Sequence, residues 1–201
     1  MDLLIATSNQ GKLREYQRLL DGIPQHVLSL VDAGLAEMDV EENGTTVLAN
    51  ATIKSRAYAQ ASGLLSLADD TGLFVDALNG APGVYPARWG GAELTMAQRR
   101  AKMLAALDGI PDERRSARFV CVIAVTTPEG ETQTVEGICE GRIARNESHG
   151  EQGFGYDAIF IPLGYDRPWS LVPLDEKNRI SHRGTAARKL IPILQRLAAN
   201  G

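Results

Sequence analysis

Hydrophobic and polar positions alternate between a period near 2 and a period near 3.6, and the switches between them predict an alternation of strands and helices. Residues 1–6, MDLLIA, are a short apolar run. The polar loop TSNQGK follows, and then Leu13, Tyr16, Gln17 and Leu20 fall on one helical face, predicting strand, loop and helix. A second strand is predicted near HVLSL, ahead of an irregular acidic stretch. Residues 45–62 carry a helical stripe of Val47, Leu48, Ala51, Tyr58 and Ala59 that Gly63 closes. LLSLAD is the next predicted strand. LNGAPGVYPARWGG reads as a long surface loop, and the helix after it turns Met96, Met103, Leu104 and Leu107 inward. RFVCVIAVTT is almost continuously apolar, as a central strand covered on both faces is, and PEG turns it into the alternating ETQTVEGIC, which predicts a hairpin. Short strands near 140 and 158 and a last helix with Ala187, Leu190, Ile191 and Leu194 inward complete an α/β pattern with a mixed sheet.

Composition narrows the function classes. A chain of 201 residues buries most of its apolar surface without disulfide staples. Its two cysteines, Cys121 and Cys139, lie in apolar segments without metal-ligand spacing, as core residues of a reducing compartment do. MDLLIATSNQ lacks the charge pattern of a signal peptide, and no run of 18 apolar residues exists, so a cytoplasmic protein without a membrane span is expected. The net charge of −4 and the absence of a basic tail argue against a general nucleic-acid binder, and leave room for a pocket that holds a small polyanion. There is no solenoid-period repeat, low-complexity tract or domain linker.

Four segments carry candidate chemistry. In TSNQGK, between a strand and a helix, Gly11 permits close backbone approach and the helix N-terminus offers amides to a phosphate; the alternative is an N-capped helix with a solvated lysine. It is not a Walker A loop, which needs glycine at Ala6 and Ser or Thr at Leu13. Asp69 and Asp70 interrupt the apolar run LLSLADDTGLFVD, where an unpaired carboxylate is costly. On an extended chain they point to opposite faces. One is expected to cap a turn into TGL, and the other to enter a cleft as a metal ligand or water-orienting carboxylate, unless both are purely structural. DEKNRISHRG gathers Lys177, Arg179, His182 and Arg183 before the last helix, donors suited to an anion or a carbonyl-bearing ring. In GFGYD, Phe154 or Tyr156 either stacks on a base or packs within a hairpin.

Taken together and in order, TSNQGK, EENGTT, NATIKSRA, ADDTGL, GAPGVYPARW, GFGYD and EKNRISHRG resemble the inosine/xanthosine triphosphate pyrophosphatase family, over residues 7–184. The resemblance implies one ITPase-like domain over residues 1–201, with an elongated mixed β-sheet flanked by helices, two lobes and a central substrate cleft. It further implies a homodimer, Mg²⁺ dependence, and conversion of ITP, dITP and XTP to the monophosphate and pyrophosphate. Carried over by motif, Thr7, Ser8, Asn9, Gln10, Gly11 and Lys12 hold the phosphates with Lys54. Asp70 binds metal and is the catalytic acceptor, Glu42 is a second metal ligand, and Thr71 contacts substrate. Phe154, Gly155, Tyr156 and Asp157 stack on and hydrogen-bond the purine, and Lys177, His182 and Arg183 address its carbonyl side. Ala49 stands where the family often has Glu, which weakens the case for a full acidic metal cluster, and Arg88 and Trp89 fit the loop pattern without a chemical role.

Two other readings compete: a pyrophosphatase of similar fold acting on modified pyrimidine or 7-methylguanine nucleotides, and a non-hydrolysing nucleotide sensor. A sensor needs no water-positioning acid. An aspartyl-phosphate phosphohydrolase is disfavoured because ADDTG lacks Asp-x-Asp spacing.

Overall fold

The computed structural model describes residues 1–150 and 152–199. Its elements run β1 (Asp2–Ile5), α1 (Gln10–Leu19), β2 (His26–Ser29), α2 (Val47–Ser62), β3 (Leu65–Val75), β4 (Pro82–Gly83), α3 (Met96–Ala106), β5 (Ser116–Thr126), β6 (Thr132–Ile143), β7 (Phe160–Pro162), α4 (Leu174–Ile180) and α5 (His182–Ala199). The strands form one sheet in the order β2-β1-β3-β5-β6-β7, with β4 paired to β3. The β1–β2 and β1–β3 pairs are parallel, and β3–β4 and β6–β7 are antiparallel, so the fold is the mixed α/β class that the sequence pattern predicts.

The chain divides into two compact units. The first contains residues 1–70 and 121–137 and the chain from His182 onward. Its sheet is apolar on both faces. Leu3, Ile5, Leu65 and Leu67 pack with Tyr16 and Leu20 of α1 and with Ala186, Leu190 and Leu194 of α5. Leu4, Ala6 and Ala68 point the other way and pack with Leu30 and with Tyr58 of α2. This period-2 division is what gives the two acids of β3 different surroundings. The second unit contains residues 71–120 and 138–181, and its core joins Leu73, Val75, Met103, Phe119, Phe160 and Trp169. Phe119 stacks on Trp169 with ring centroids 5.4 Å apart. Both cysteines are buried and reduced, as expected. Among the described residues, no helix is long and apolar enough to cross a membrane.

Several local expectations are corrected. Gln17 is exposed and Glu15 is buried in its place, because an ion pair outweighs the apolar pattern there. Leu48 is also exposed, and the inward positions of α2 include Asn50 and Ser55. β3 does not turn at Asp70 but runs on to Val75. The strand expected near 140 is the end of the long β6, and the one near 158 begins at Phe160. The segment before the last helix is itself helical, as α4, so Lys177 lies on α4 while His182 and Arg183 open α5.

One contact sets how closely α5 approaches the sheet in the first unit. A Cβ on Gly137 of β6 would collide with the carbonyl oxygen of His182 and the amide nitrogen of Ala186, both backbone atoms with no rotamer to yield. Gly137→Ala is therefore expected to destabilise by about 1–3 kcal/mol. A lowered urea midpoint at unchanged m value checks it, and a midpoint equal to that of the parent refutes it.

Candidate active site

In the first unit, β1 leads into a loop that caps α1. Asn9 Oδ1 accepts from the amides of Gly11 (2.8 Å) and Lys12 (3.1 Å), and Thr7 Oγ1 accepts from the amide of Asn9 (3.2 Å). Ser8, Asn9 and Gln10 are exposed around this cap. The helix start thus satisfies two of its own amides, while Lys12 turns back to β3: its Nζ lies 3.0 Å from Asp69 Oδ1 and donates to the Asp69 carbonyl oxygen at 3.3 Å.

Asp69 lies on the α1/α5 face. Arg183 of α5 donates to its Oδ2 from Nη2 (2.9 Å) and Nε (3.2 Å), and reaches Glu15 of α1 from Nη1 at 2.5 Å. The expectation that the first acid bonds locally is therefore corrected. Its partners stand 57 and 114 residues away, and the chain does not turn there. Burial acts to raise the Asp69 carboxyl, but Lys12, Arg183 and Lys54 together hold it far below the usual carboxylate range, and Asp69 with Glu15 raises Arg183 despite its burial. Asp69 is ionised, enclosed and fully engaged.

Asp70 lies on the α2 face and is different in kind. Asn50 Nδ2 donates to its Oδ2 at 3.3 Å and Lys54 Nζ to its Oδ1 at 3.4 Å, and Lys54 also binds Glu42 Oε2 at 2.9 Å. Burial, with Glu42 and Asp69 adding like charge, lifts the Asp70 carboxyl above its ordinary range against the pull of Lys54 and Lys12. Its side chain is 11% exposed and that of Glu42 28%, whereas that of Asp69 is 1%, so of the two adjacent acids Asp70 is the one within reach of solvent.

Among the described residues no group of three or more His, Cys, Asp or Glu could hold a metal. The donors available are the carboxylates of Glu42 and Asp70, drawn to one ammonium. Two hard oxygen donors at a solvent-reaching position fit an ion such as Mg²⁺, which keeps several waters and completes its shell with phosphate oxygens. They do not fit a protein cage.

In the second unit, Gly153 (φ 80°) and Gly155 (φ 63°) take left-handed turns around Phe154, and Asp157 ties the loop by accepting from the Phe154 amide at 2.8 Å. The same oxygen accepts from Lys177 Nζ at 2.6 Å, and that ammonium lies 5.1 Å from the ring centroids of both Phe154 and Trp169. Tyr156 is buried with its hydroxyl on the carbonyl oxygen of Pro86, and burial pushes it up to about 12. It offers no open ring, which leaves half-buried Phe154 as the stacking candidate. A cavity of about 300 Å³ beside Phe154 is lined by Arg100, Glu147, Ser148, Gly155 and Ser170 among others. Arg100 bridges Glu147 and the carbonyl oxygen of Gly155. Thr71 stands half-buried where β3 enters this unit. Arg99 accounts for the loop around Trp89, donating to the carbonyl oxygens of Trp89, Gly91 and Ala92.

Sequence reasoning missed Glu15 and gave Asn50 no role. Glu15 had no local signal, because its partner Arg183 is 168 residues away. For Asn50 the i, i+4 spacing to Lys54 places both on one face of α2, and the bonds it makes there depend on Gly44 and Asp70 outside that helix.

A strand-to-helix polar loop and two lysines turned onto adjacent acids that face opposite sides of a mixed sheet make up the candidate site of this α/β protein. The Ham1 family model matches residues 3–193, and the chain belongs to the Ham1 family. It is 46% identical to the dITP/XTP pyrophosphatase of Desulforamulus reducens, over 98% of this chain and 97% of that protein. To the dITP/XTP pyrophosphatase of Bacillus subtilis it is 44% identical, over 96% and 97%. The structure of a HAM1 protein from Coxiella burnetii superposes with a TM-score of 0.86 at 39% identity, over 98% of this chain and 99% of that one.

Proposed function

We propose that the chain hydrolyses non-standard purine nucleoside triphosphates, ITP, dITP and XTP, to the monophosphate and pyrophosphate. The observation that carries this reading is the contrast between the two acids: Asp69 is locked by Arg183 and Lys12, and Asp70 is kept within reach of solvent beside Glu42 and two lysines. The names of the relatives supply the substrate class.

Lys12 and Lys54 counter the charge by which a polyphosphate repels a nucleophile. Asp70 orients the attacking water and accepts its proton. The water oxygen bonds to the α-phosphorus as the bond from that phosphorus to the bridging oxygen breaks, and pyrophosphate leaves with that oxygen. The residues Thr7 to Lys12 receive the phosphates, with Thr71 as a further substrate contact. When bound, a divalent ion held by Glu42 and Asp70 supplies further positive charge to the polyphosphate; Mg²⁺ is the ion this reading assigns. No covalent enzyme intermediate is required.

The purine stacks on Phe154, with Gly155, Tyr156 and Asp157 shaping the loop that carries the ring. The same reading assigns Lys177, His182 and Arg183 to its carbonyl side. Position 6 is an acceptor oxygen in inosine and a donor amine in adenosine. A buried donor facing the amine loses its partner, which supplies discrimination on the order of 10⁴. The same reading makes the enzyme a cytoplasmic homodimer.

Incubation with each nucleoside triphosphate and Mg²⁺, followed by identification of the phosphate released, tests the proposal. Pyrophosphate from ITP, dITP and XTP in preference to ATP is expected; release of orthophosphate, or binding without turnover, refutes it. Phe154→Ala is expected to raise KM about tenfold for all purine triphosphates alike, since stacking is worth about 1–3 kcal/mol per base and ignores ring substituents. A loss confined to ITP would contradict the stacking role.

A further inference from the structure

Asn50 is fully buried in α2, where asparagine is a poor helix former and an amide without partners is costly. Both ends of its amide are engaged. Oδ1 accepts from the amide of Gly44 at 2.8 Å, and Nδ2 donates to Asp70 Oδ2 at 3.3 Å. Gly44 lies two residues after Glu42 in the acidic loop. A Cβ on Gly44 would lie 2.7 Å from both Asn50 Oδ1 and Ala49 Cβ, so this close seat of the loop on α2 requires glycine.

We propose that Asn50 is a positioning residue that fixes the Glu42 loop and the Asp70 carboxylate in one geometry, ready for a divalent cation. The inference rests on the reading of Glu42 and Asp70 as the cation-binding pair. Asparagine is the side chain that suits the place: leucine makes neither bond, aspartate has no donor for Asp70, and glutamine is one methylene too long for a buried site. Lys54, one turn further along α2, joins the same two acids, but its charge competes with a cation for their oxygens. Asn50 is neutral, so its grip is compatible with an ion on the outer side of the carboxylates. Groups that hold a metal ligand from behind typically set affinity by 10–100-fold.

The test uses Mn²⁺ as the probe, titrated by electron paramagnetic resonance into the full chain with pyrophosphate present. Asn50→Ala is expected to weaken Mn²⁺ binding about 10–100-fold. The Mg²⁺ concentration for half-maximal turnover should rise by the same factor, while KM for ITP at saturating Mg²⁺ stays within about threefold of the parent, far inside that range. Should Asn50→Ala melt at a lower temperature yet bind Mn²⁺ like the parent, Asn50 is merely structural and the proposal fails. Asp70→Asn is the control on the underlying reading: if it binds Mn²⁺ as tightly as the parent, the cation site itself is misassigned and the role of Asn50 falls with it. A second measurement needs no variant. In ¹⁵N spectra of the native chain, the Asn50 side-chain amide and the Gly44 backbone amide should shift with Mg²⁺ at a common midpoint, and resonances unmoved at saturation overturn the proposal.

Discussion

Asp70→Asn lowers kcat for ITP by about 10²–10⁴, the usual worth of a positioned proton acceptor, with little change in nucleotide binding, and it raises thermal stability in metal-free buffer. Both effects have one origin. Burial and the neighbouring charges of Glu42 and Asp69 hold the Asp70 carboxyl above its ordinary range, so the folded chain binds that proton more tightly than the unfolded one does. Ionisation of such a group lowers stability as pH rises through the interval between its unfolded value, about 3.9, and its raised folded value. The amide does not ionise and keeps a side chain of nearly the same shape. The variant should therefore melt above the parent at neutral pH, with the gap closing as pH falls through that interval. Each kcal/mol is read as about 2–4 °C in a chain of this size. Calorimetry in EDTA from pH 4 to 8 and steady-state rates at saturating Mg²⁺ check the two halves. A near-parental kcat would defeat the assignment of Asp70.

Arg183→Leu has the opposite effect on stability and is the most disruptive single change expected. Arg183 is 1% exposed and lies between Glu15 and Asp69, themselves 2% and 3% exposed. Removing it leaves two buried carboxylates without their guanidinium, a loss of about 3–5 kcal/mol in comparable cases. Lysine is a poor substitute, because one ammonium cannot reproduce a planar fork that reaches two acids at once. The Asp69 carboxyl is held far below its unfolded value, so its stabilising contribution is complete above about pH 3.9 and is lost only as pH falls through the depressed folded value. The deficit of the variant should therefore persist across neutral and mildly acidic pH. Urea unfolding at pH 5 and pH 7 reads it directly, and a variant within about 0.5 kcal/mol of the parent, the range of ordinary surface changes, would show that the triad holds nothing together.

The strands and long helices were legible because their period is local. Continuous apolar runs marked β1 and β5, and the αL glycine at Gly63 marked the end of α2. The adjacency of Asp69 and Asp70 also carried real information, since period-2 alternation alone sends them to different faces. What each face contained was not legible. The partners of Asp69 come from α1 and α5, at opposite ends of the chain, and no window of sequence joins Glu15 to Arg183. The turn expected after Asp70 failed for a related reason: Thr and Gly signal a turn locally, but β3 lies beside β5 in the sheet and pairs with β4 at Leu73 and Phe74, which keeps the chain extended to Val75. Likewise GFGYD named a loop with two aromatics, and only packing decided that Tyr156 is interior while Phe154 keeps an accessible face.

The two cysteines carry a practical consequence. Cys121 is wholly enclosed and out of reach of a reagent, and burial pushes the Cys139 thiol up to about 12, so Cys139 presents no thiolate at neutral pH. A maleimide fluorophore should leave the native chain unlabelled. One cysteine installed at an exposed position such as Leu163 would then take the dye alone, giving a reporter of ligand arrival without first stripping the native sulfurs.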